Sequence, residues 1–280
     1  MSSPFAVCLG TSFLGLYAHS GLMQGIEEIG LRPVALSGAS SGAVVAAFLA
    51  AKKSPAETVE ALLEQDLRAT FLDWRVPWRA LGTITNRPGF TGAISADAAV
   101  ARLRAIFGDH RIETCTDPRL ALSVTNLSAR RSEIVTAGPL AEFVLASGAL
   151  PGLFAAREID GARYWDGGVA NPLPFDVWLD DPAIETIVVH TVVGKGTLAR
   201  RDARRQLNVT GALALSHQII GDELLRWKTE TARLAGKRVI FLRTETPGPG
   251  GVMTRQAALA SVDAGLATAR ASRALLSALA

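Results

Sequence analysis

Up to Ala51 the chain alternates between two apolar patterns, and that alternation limits the folds open to it. Phe5-Ala6-Val7-Cys8-Leu9 is an unbroken apolar run ending at Gly10, as expected of a strand buried on both faces. Leu22, Ile26 and Ile29 then recur at the spacing of one helix face. Gly30 is placed to end that helix, and Pro33 prevents its continuation. Val34-Ala35-Leu36 reads as a second short strand. Gly42 to Ala51 is apolar all round, which predicts a buried helix. Lys52 and Lys53 close it with the charge that a helix C-terminus favours. Strand, helix, strand, helix in so short a stretch predicts an α/β fold with a mostly parallel sheet.

Further strands are expected at Leu120 to Val124, Ser132 to Thr136, Thr186 to Val192 and Arg238 to Leu242. Arg157 to Trp165 reads as a hairpin, with Asp160-Gly161 as its type I′ turn. Helices are expected over Glu57 to Thr70, over Ala96 to Phe107 and, as one long Ala-rich piece, over Arg255 to Leu279. Between the first two, Trp74 to Arg79 and the Gly- and Pro-containing residues through Gly92 read as irregular loop. No linker separates these pieces. With 49% apolar and 20% charged residues, the 280 residues suit one domain with a large core.

The charge balance excludes some functions. A net charge of +3 with no basic stripe interleaved with aromatics argues against a nucleic-acid partner. Cys8 and Cys115 fit no zinc spacing and make no disulfide framework, so neither a metal nor an oxidising compartment is expected. Met1 to Ala6 lacks a basic signal-peptide n-region, and Gly42 to Ala51 is too short to span a bilayer. The expectation is a cytoplasmic protein without a transmembrane segment, with peripheral contact at a membrane left open.

Gly38-Ala39-Ser40-Ser41-Gly42 matches G-x-S-x-G. The string is common by chance in a chain with 26 glycines, so its setting carries the weight. It lies between a short apolar strand and an apolar helix, the strand-turn-helix context of a nucleophile elbow. There Ser40 stands exposed at a helix N-terminus, where free N–H groups stabilise developing negative charge. A serine nucleophile needs a base. Asp166-Gly167-Gly168 follows the strand Arg163-Tyr164-Trp165, and its glycines allow a tight turn that can bring the carboxylate beside another loop. His190, ending an apolar strand, and His217, in a helical stretch, read more readily as structural histidines than as a base.

Together these features resemble the patatin-like phospholipase family. That family has a Gly-rich loop after its first strand, a G-x-S-x-G elbow, and a distant D-G-[AG] that supplies the base of a Ser–Asp dyad. Gly38 to Gly42 match the elbow, and Asp166-Gly167-Gly168 match the acid turn. Ala146-Ser147-Gly148-Ala149-Leu150-Pro151-Gly152-Leu153-Phe154 and Asn171-Pro172 are also family-like. The likeness covers about residues 5 to 195, with the later strand and helix completing the domain. The loop departs: G-G-G-x-[RK]-G has become Gly10-Thr11-Ser12-Phe13-Leu14-Gly15, without the basic residue.

The resemblance implies a three-layer α/β/α domain spanning 1–280. It implies Ser40 as nucleophile, Asp166 as base, and an oxyanion hole from the N–H groups of Gly10, Thr11, Ser12 and Ser41. Gly15, Gly38, Gly42, Gly167 and Gly168 support those turns, and no metal or cofactor is required. The implied activity is hydrolysis of lipid acyl esters, phospholipase A- or lysophospholipase-like, through an acyl-enzyme. Two alternatives stay open: an esterase acting on small soluble esters, and a non-catalytic lipid-binding member with the altered loop. Trp74, Trp78 and Phe90 fit either an apolar lid or core packing, and Arg200 to Arg205 fits either lipid head groups or a solvated loop.

Overall fold

The computed structural model describes residues 4–12, 15–64, 76–95, 97–194, 209–247 and 254–279. Phe13, Leu14, Trp74 and the Arg200 to Arg205 run lie outside the described residues. In chain order the elements begin with β1 (Phe5–Leu9), α1 (Leu16–Glu28), β2 (Ala35–Gly38), α2 (Ser41–Ala50) and α3 (Pro55–Leu63). Then come α4 (Val76–Ile84), β3 (Gly92–Ile94), α5 (Asp97–Phe107), β4 (Arg119–Asn126) and β5 (Arg131–Val135). They continue with α6 (Leu140–Ser147), β6 (Gly152–Phe154), β7 (Arg157–Ile159), β8 (Ala162–Asp166) and β9 (Thr186–Gly194). The last are α7 (Val209–Leu234), β10 (Arg238–Thr246), α8 (Arg255–Ala271) and α9 (Arg273–Ser277).

Eight strands form the main sheet, in the order β10-β9-β1-β2-β4-β8-β7, with β5 also paired to β4. The five strands from β10 to β4 run parallel, and β5, β8 and β7 add antiparallel pairs. This is the expected mostly parallel sheet flanked by helices. The alternation of β1 explains its unbroken apolar run. Phe5, Val7 and Leu9 join the larger core cluster, with α1 and α2, while Ala6 and Cys8 join a second cluster on the other face. That second cluster includes Phe175, Trp178 and Ala232, the last from α7.

Local chemistry accounts for the boundaries. Gly30 takes φ +83 just past α1, and Asp160 and Gly161 take φ 50 and 77 in the hairpin turn. Helix α3 starts in a capping box: the Ser54 hydroxyl accepts from the Glu57 N–H, and the Glu57 carboxylate accepts from the Ser54 N–H. Glu64 then leaves helical backbone, so this helix ends at Leu63; the remainder of the helix expected through Thr70 lies outside the described residues. The segment read as loop contains α4, where Pro77 sits in the first turn, a position that needs no N–H donor. The C-terminal helix is divided in two at Ser272.

Candidate active site

Register alone brings Ser40 and Asp166 to one level. Gly38 pairs with Leu122 on β4, and Asp166 pairs with Val124, two residues further along the same strand. Ser40 also lies two residues beyond Gly38, and each step along a strand advances about 3.3 Å. Both side chains therefore emerge at the carboxyl end of the parallel strands.

Ser40 precedes α2 with φ 55 and ψ −121, a strained backbone for a residue with a Cβ. Three contacts hold this turn. The Ala39 N–H donates to the Leu9 carbonyl at 3.2 Å. The Ser40 N–H donates to the Ser147 hydroxyl at 2.9 Å, and that hydroxyl donates to the Ser123 carbonyl at 2.7 Å. Helix α2 also packs so closely on the end of β1 that a Cβ on Gly42 would lie 2.0 Å from the Leu9 oxygen. Only glycine fits there.

Asp166 is 3% exposed. Its carboxylate faces the Ser40 side chain and accepts a hydrogen bond from the Gly168 N–H at 2.7 Å. Burial raises its pKa from 3.8 to about 6, against the neighbouring Ser40 hydroxyl, the Gly168 N–H and the charge of His217, which lower it. The following turn is seated tightly, since a Cβ on Gly167 would lie 2.2 Å from the Ser123 oxygen. From α7, His217 reaches this turn and donates from Nε2 to the Gly168 carbonyl at 3.2 Å.

The N–H groups expected to form an oxyanion hole divide into two pairs. The Gly10 N–H donates to the His190 carbonyl at 3.0 Å and the Thr11 N–H to the Pro172 carbonyl at 2.9 Å. Both are committed to holding the loop, which corrects their expected role as free donors. The N–H groups of Ser12 and Ser41 make no backbone hydrogen bond among the described residues. The Ser12 and Ser41 hydroxyls lie 2.8 Å apart, linking the altered loop to the start of α2. Gly15 faces the Ser12 hydroxyl and Val192.

Two supports carry no motif. Buried Lys228 donates to the Asn171 side chain at 2.7 Å and to the Leu173 carbonyl, and pairs with Asp176 at 2.5 Å. It thereby fixes the segment whose Pro172 carbonyl holds Thr11. Ser147 lies in the family-like segment, but only the fold shows that its hydroxyl serves the elbow. Among the described residues no cluster of His, Cys, Asp and Glu could hold a metal ion. No described helix is long and apolar enough to cross a membrane.

His190 is buried away from the Ser40–Asp166 pair and bonds to His19, with their Nδ1 atoms 2.8 Å apart. His19 Nε2 faces the Gly10 carbonyl at 2.9 Å, which only accepts, so Nε2 carries the proton and Nδ1 accepts from His190. His190 Nε2 pairs with the Thr244 hydroxyl at 2.8 Å. Full burial disfavours a charge on either ring. Burial accordingly lowers the His19 pKa from 6.5 to about 4 and holds His190 well below 6.5.

These two rings contribute stability that is complete above pH 6.5 and lost as the pH falls towards about 4. His19 alone accounts for roughly 3 kcal/mol on that scale. Asp166 acts in the opposite sense between about 6 and 3.8, because its folded-state pKa is raised. In the Asp166→Asn protein the melting temperature should therefore fall more steeply from pH 6.5 to 4 than in the wild type. Equal slopes in thermal melts would show that the Asp166 pKa is not raised in the fold, and a flat profile for the Asp166→Asn protein would show that the two rings are not held neutral.

A family model described as patatin-like phospholipase matches residues 8–179. NTE family proteins of Mycobacterium bovis and Mycobacterium tuberculosis are 34% identical over 174 residues, 62% of this chain and 45% of theirs. The chain thus spans less than half the length of these relatives. Among solved structures, VipD from Legionella pneumophila superposes with a TM-score of 0.55 at 15% identity. That match covers 98% of this chain and 67% of VipD, and it agrees with the fold described above. With the family model matched over more than half its length, the chain belongs to the patatin-like phospholipase family.

Proposed function

We infer that the chain is a serine hydrolase of lipid acyl esters. The observation that carries this reading is the juxtaposition, set by strand register, of the strained Ser40 with the buried Asp166 carboxylate. Ser40 Oγ attacks the ester carbonyl while Asp166 takes its proton. The tetrahedral oxyanion lies against the N–H groups of Ser41 and Ser12, beside the positive end of α2. On collapse, Asp166 returns the proton to the leaving alcohol and an acyl-Ser40 ester remains. Asp166 then takes a proton from water, whose oxygen attacks the acyl carbon, and on collapse it returns that proton to Ser40 Oγ as the acid leaves. An ordinary aspartate is a weak base for a hydroxyl, and burial corrects this by raising its pKa to about 6.

The direct test is a screen of phospholipid, lysophospholipid and neutral acyl esters, together with fluorophosphonate labelling. Labelling at Ser40 and release of fatty acid are expected. A protein that neither labels nor releases acid from any class is not a hydrolase. The pH profile gives a finer check. Activity should fall as the pH drops through about 6, where Asp166 takes up a proton. His217→Ala should keep at least about half the rate at pH 8, since His217 touches the turn and not the base's proton. It should also move the acid limb upward, because it removes a positive charge that favours ionised Asp166. A loss of several orders of magnitude in this variant would make His217 the base.

A further inference from the structure

We propose that α4 and the turn after it form a docking face for an anionic phospholipid surface, placed beside the mouth of the site; this deepens the lipid-ester reading and rests on it for its purpose. Trp78, Leu81 and Ile84 recur on one side of α4 and are 70%, 49% and 82% exposed. Phe90 and Leu150 are exposed nearby in the chain segments that pair through β3 and β6. So many large apolar side chains facing outward is not core packing, which corrects that alternative for Trp78.

Position and charge indicate the occupant. Helix α6 ends at Ser147, which holds the Ser40 N–H, and the next residues carry the Ala149 carbonyl, which accepts from the Asp166 N–H at 3.0 Å. Leu150 follows at once. Gly152 and Ala155 then donate to the Thr91 and Ile94 carbonyls at 3.0 and 2.8 Å, fastening the α4–β3 segment at the same end of the sheet as Ser40. From Val76 to Ser95 the segment contains Arg79 and Arg87 and no carboxylate. Neither arginine forms an ion pair among the described residues. A tryptophan with aliphatic neighbours and positive charge suits the interface of an anionic bilayer, where apolar side chains enter the acyl boundary and arginines meet the head groups. A protein partner of mixed charge would leave this one-signed segment partly unanswered.

The experiment separates docking from chemistry by measuring binding with the Ser40→Ala protein. Vesicles of phosphatidylcholine containing phosphatidylglycerol, and vesicles of phosphatidylcholine alone, are used in flotation. Stronger partitioning to the anionic vesicles is expected, and Trp78→Glu with Ile84→Glu should weaken it by about tenfold or more. Arg87→Glu, a surface charge reversal, should weaken anionic binding several-fold, about the effect of one basic residue near such a surface, and more strongly for a reversal. In the Ser40-containing protein the Trp78/Ile84 pair should leave hydrolysis of a small soluble ester within about twofold, since neither side chain touches the site.

Unchanged vesicle binding in both variants would overturn the docking face and leave the hydrolase reading standing. Binding lost as expected, in a protein without any hydrolytic activity, would do the reverse. A dimer that these variants make monomeric, with no vesicle binding, would assign the face to a second copy and overturn the proposal.

Discussion

Ser40→Ala should lower acyl-ester hydrolysis by about a thousandfold or more, leaving only what the polarising N–H groups supply. Melting should hardly change, because alanine keeps the strained backbone and the N–H bond to Ser147. Ser40→Gly makes the structural half of this prediction sharper. Strain of this kind costs roughly 1–3 kcal/mol, and glycine relieves it at an entropic cost of about 1 kcal/mol or less. The glycine protein should therefore be as inactive as the alanine one, and at least as stable. Retained turnover in either would remove Ser40 from the nucleophile role, and a marked destabilisation by glycine would show that the turn is not strained.

Asp166→Asn should reduce hydrolysis by a comparable factor, about a thousandfold, because the amide cannot accept a proton at neutral pH. Its effect on stability has the opposite direction. The Asp166 pKa is raised in the fold, so the stability it contributes is present below pH 3.8 and is lost as the pH rises through about 6. At pH 8 the wild type holds a buried charge that asparagine does not. The variant should then be more stable by up to about 3 kcal/mol, offset by any weakening of the contacts to Ser40 and the Gly168 N–H. Thermal melts at pH 8 and pH 4 check this. An inactive protein that gains stability only at the higher pH would identify Asp166 as an ionised buried base, whereas a variant that stays active would leave it as a turn residue.

Periodicity made most of the scaffold legible. The apolar run of β1, the helix spacing through Ile26 and the glycines that end elements are local signals, and the fold uses them as such. Helix α4 was hidden because Gly82 and Pro77 are poor helix formers in isolation. In the fold, Gly82 is covered by the Phe90 ring and Pro77 lies where its missing N–H is harmless. At the site, Ser40 and Asp166 were legible because each sits in a turn with a sequence signature. Their supports were not. Whether the Thr11 N–H is free depends on the Pro172 carbonyl, and the placing of Pro172 depends on Lys228. His19 and His190 look like unrelated histidines until α1 packs against β9. Such contacts join residues far apart in the chain, and no local pattern encodes them.

The strand order has a consequence for biosynthesis. The inner strand β1 leaves the ribosome well before one of its two neighbours, β9, which ends only at Gly194. At ordinary elongation rates roughly ten to forty seconds separate them. During that interval β1 can pair with β2, but its other edge, apolar on both faces, stays bare. The strand that leads into the Gly10 to Ser12 loop thus spends its early life as an open template for pairing with other chains. Slower synthesis lengthens that exposure, and a holdase that covers Phe5 to Leu9 shortens it. The yield of folded protein should therefore depend on how nascent β1 is shielded as much as on the stability of the finished sheet.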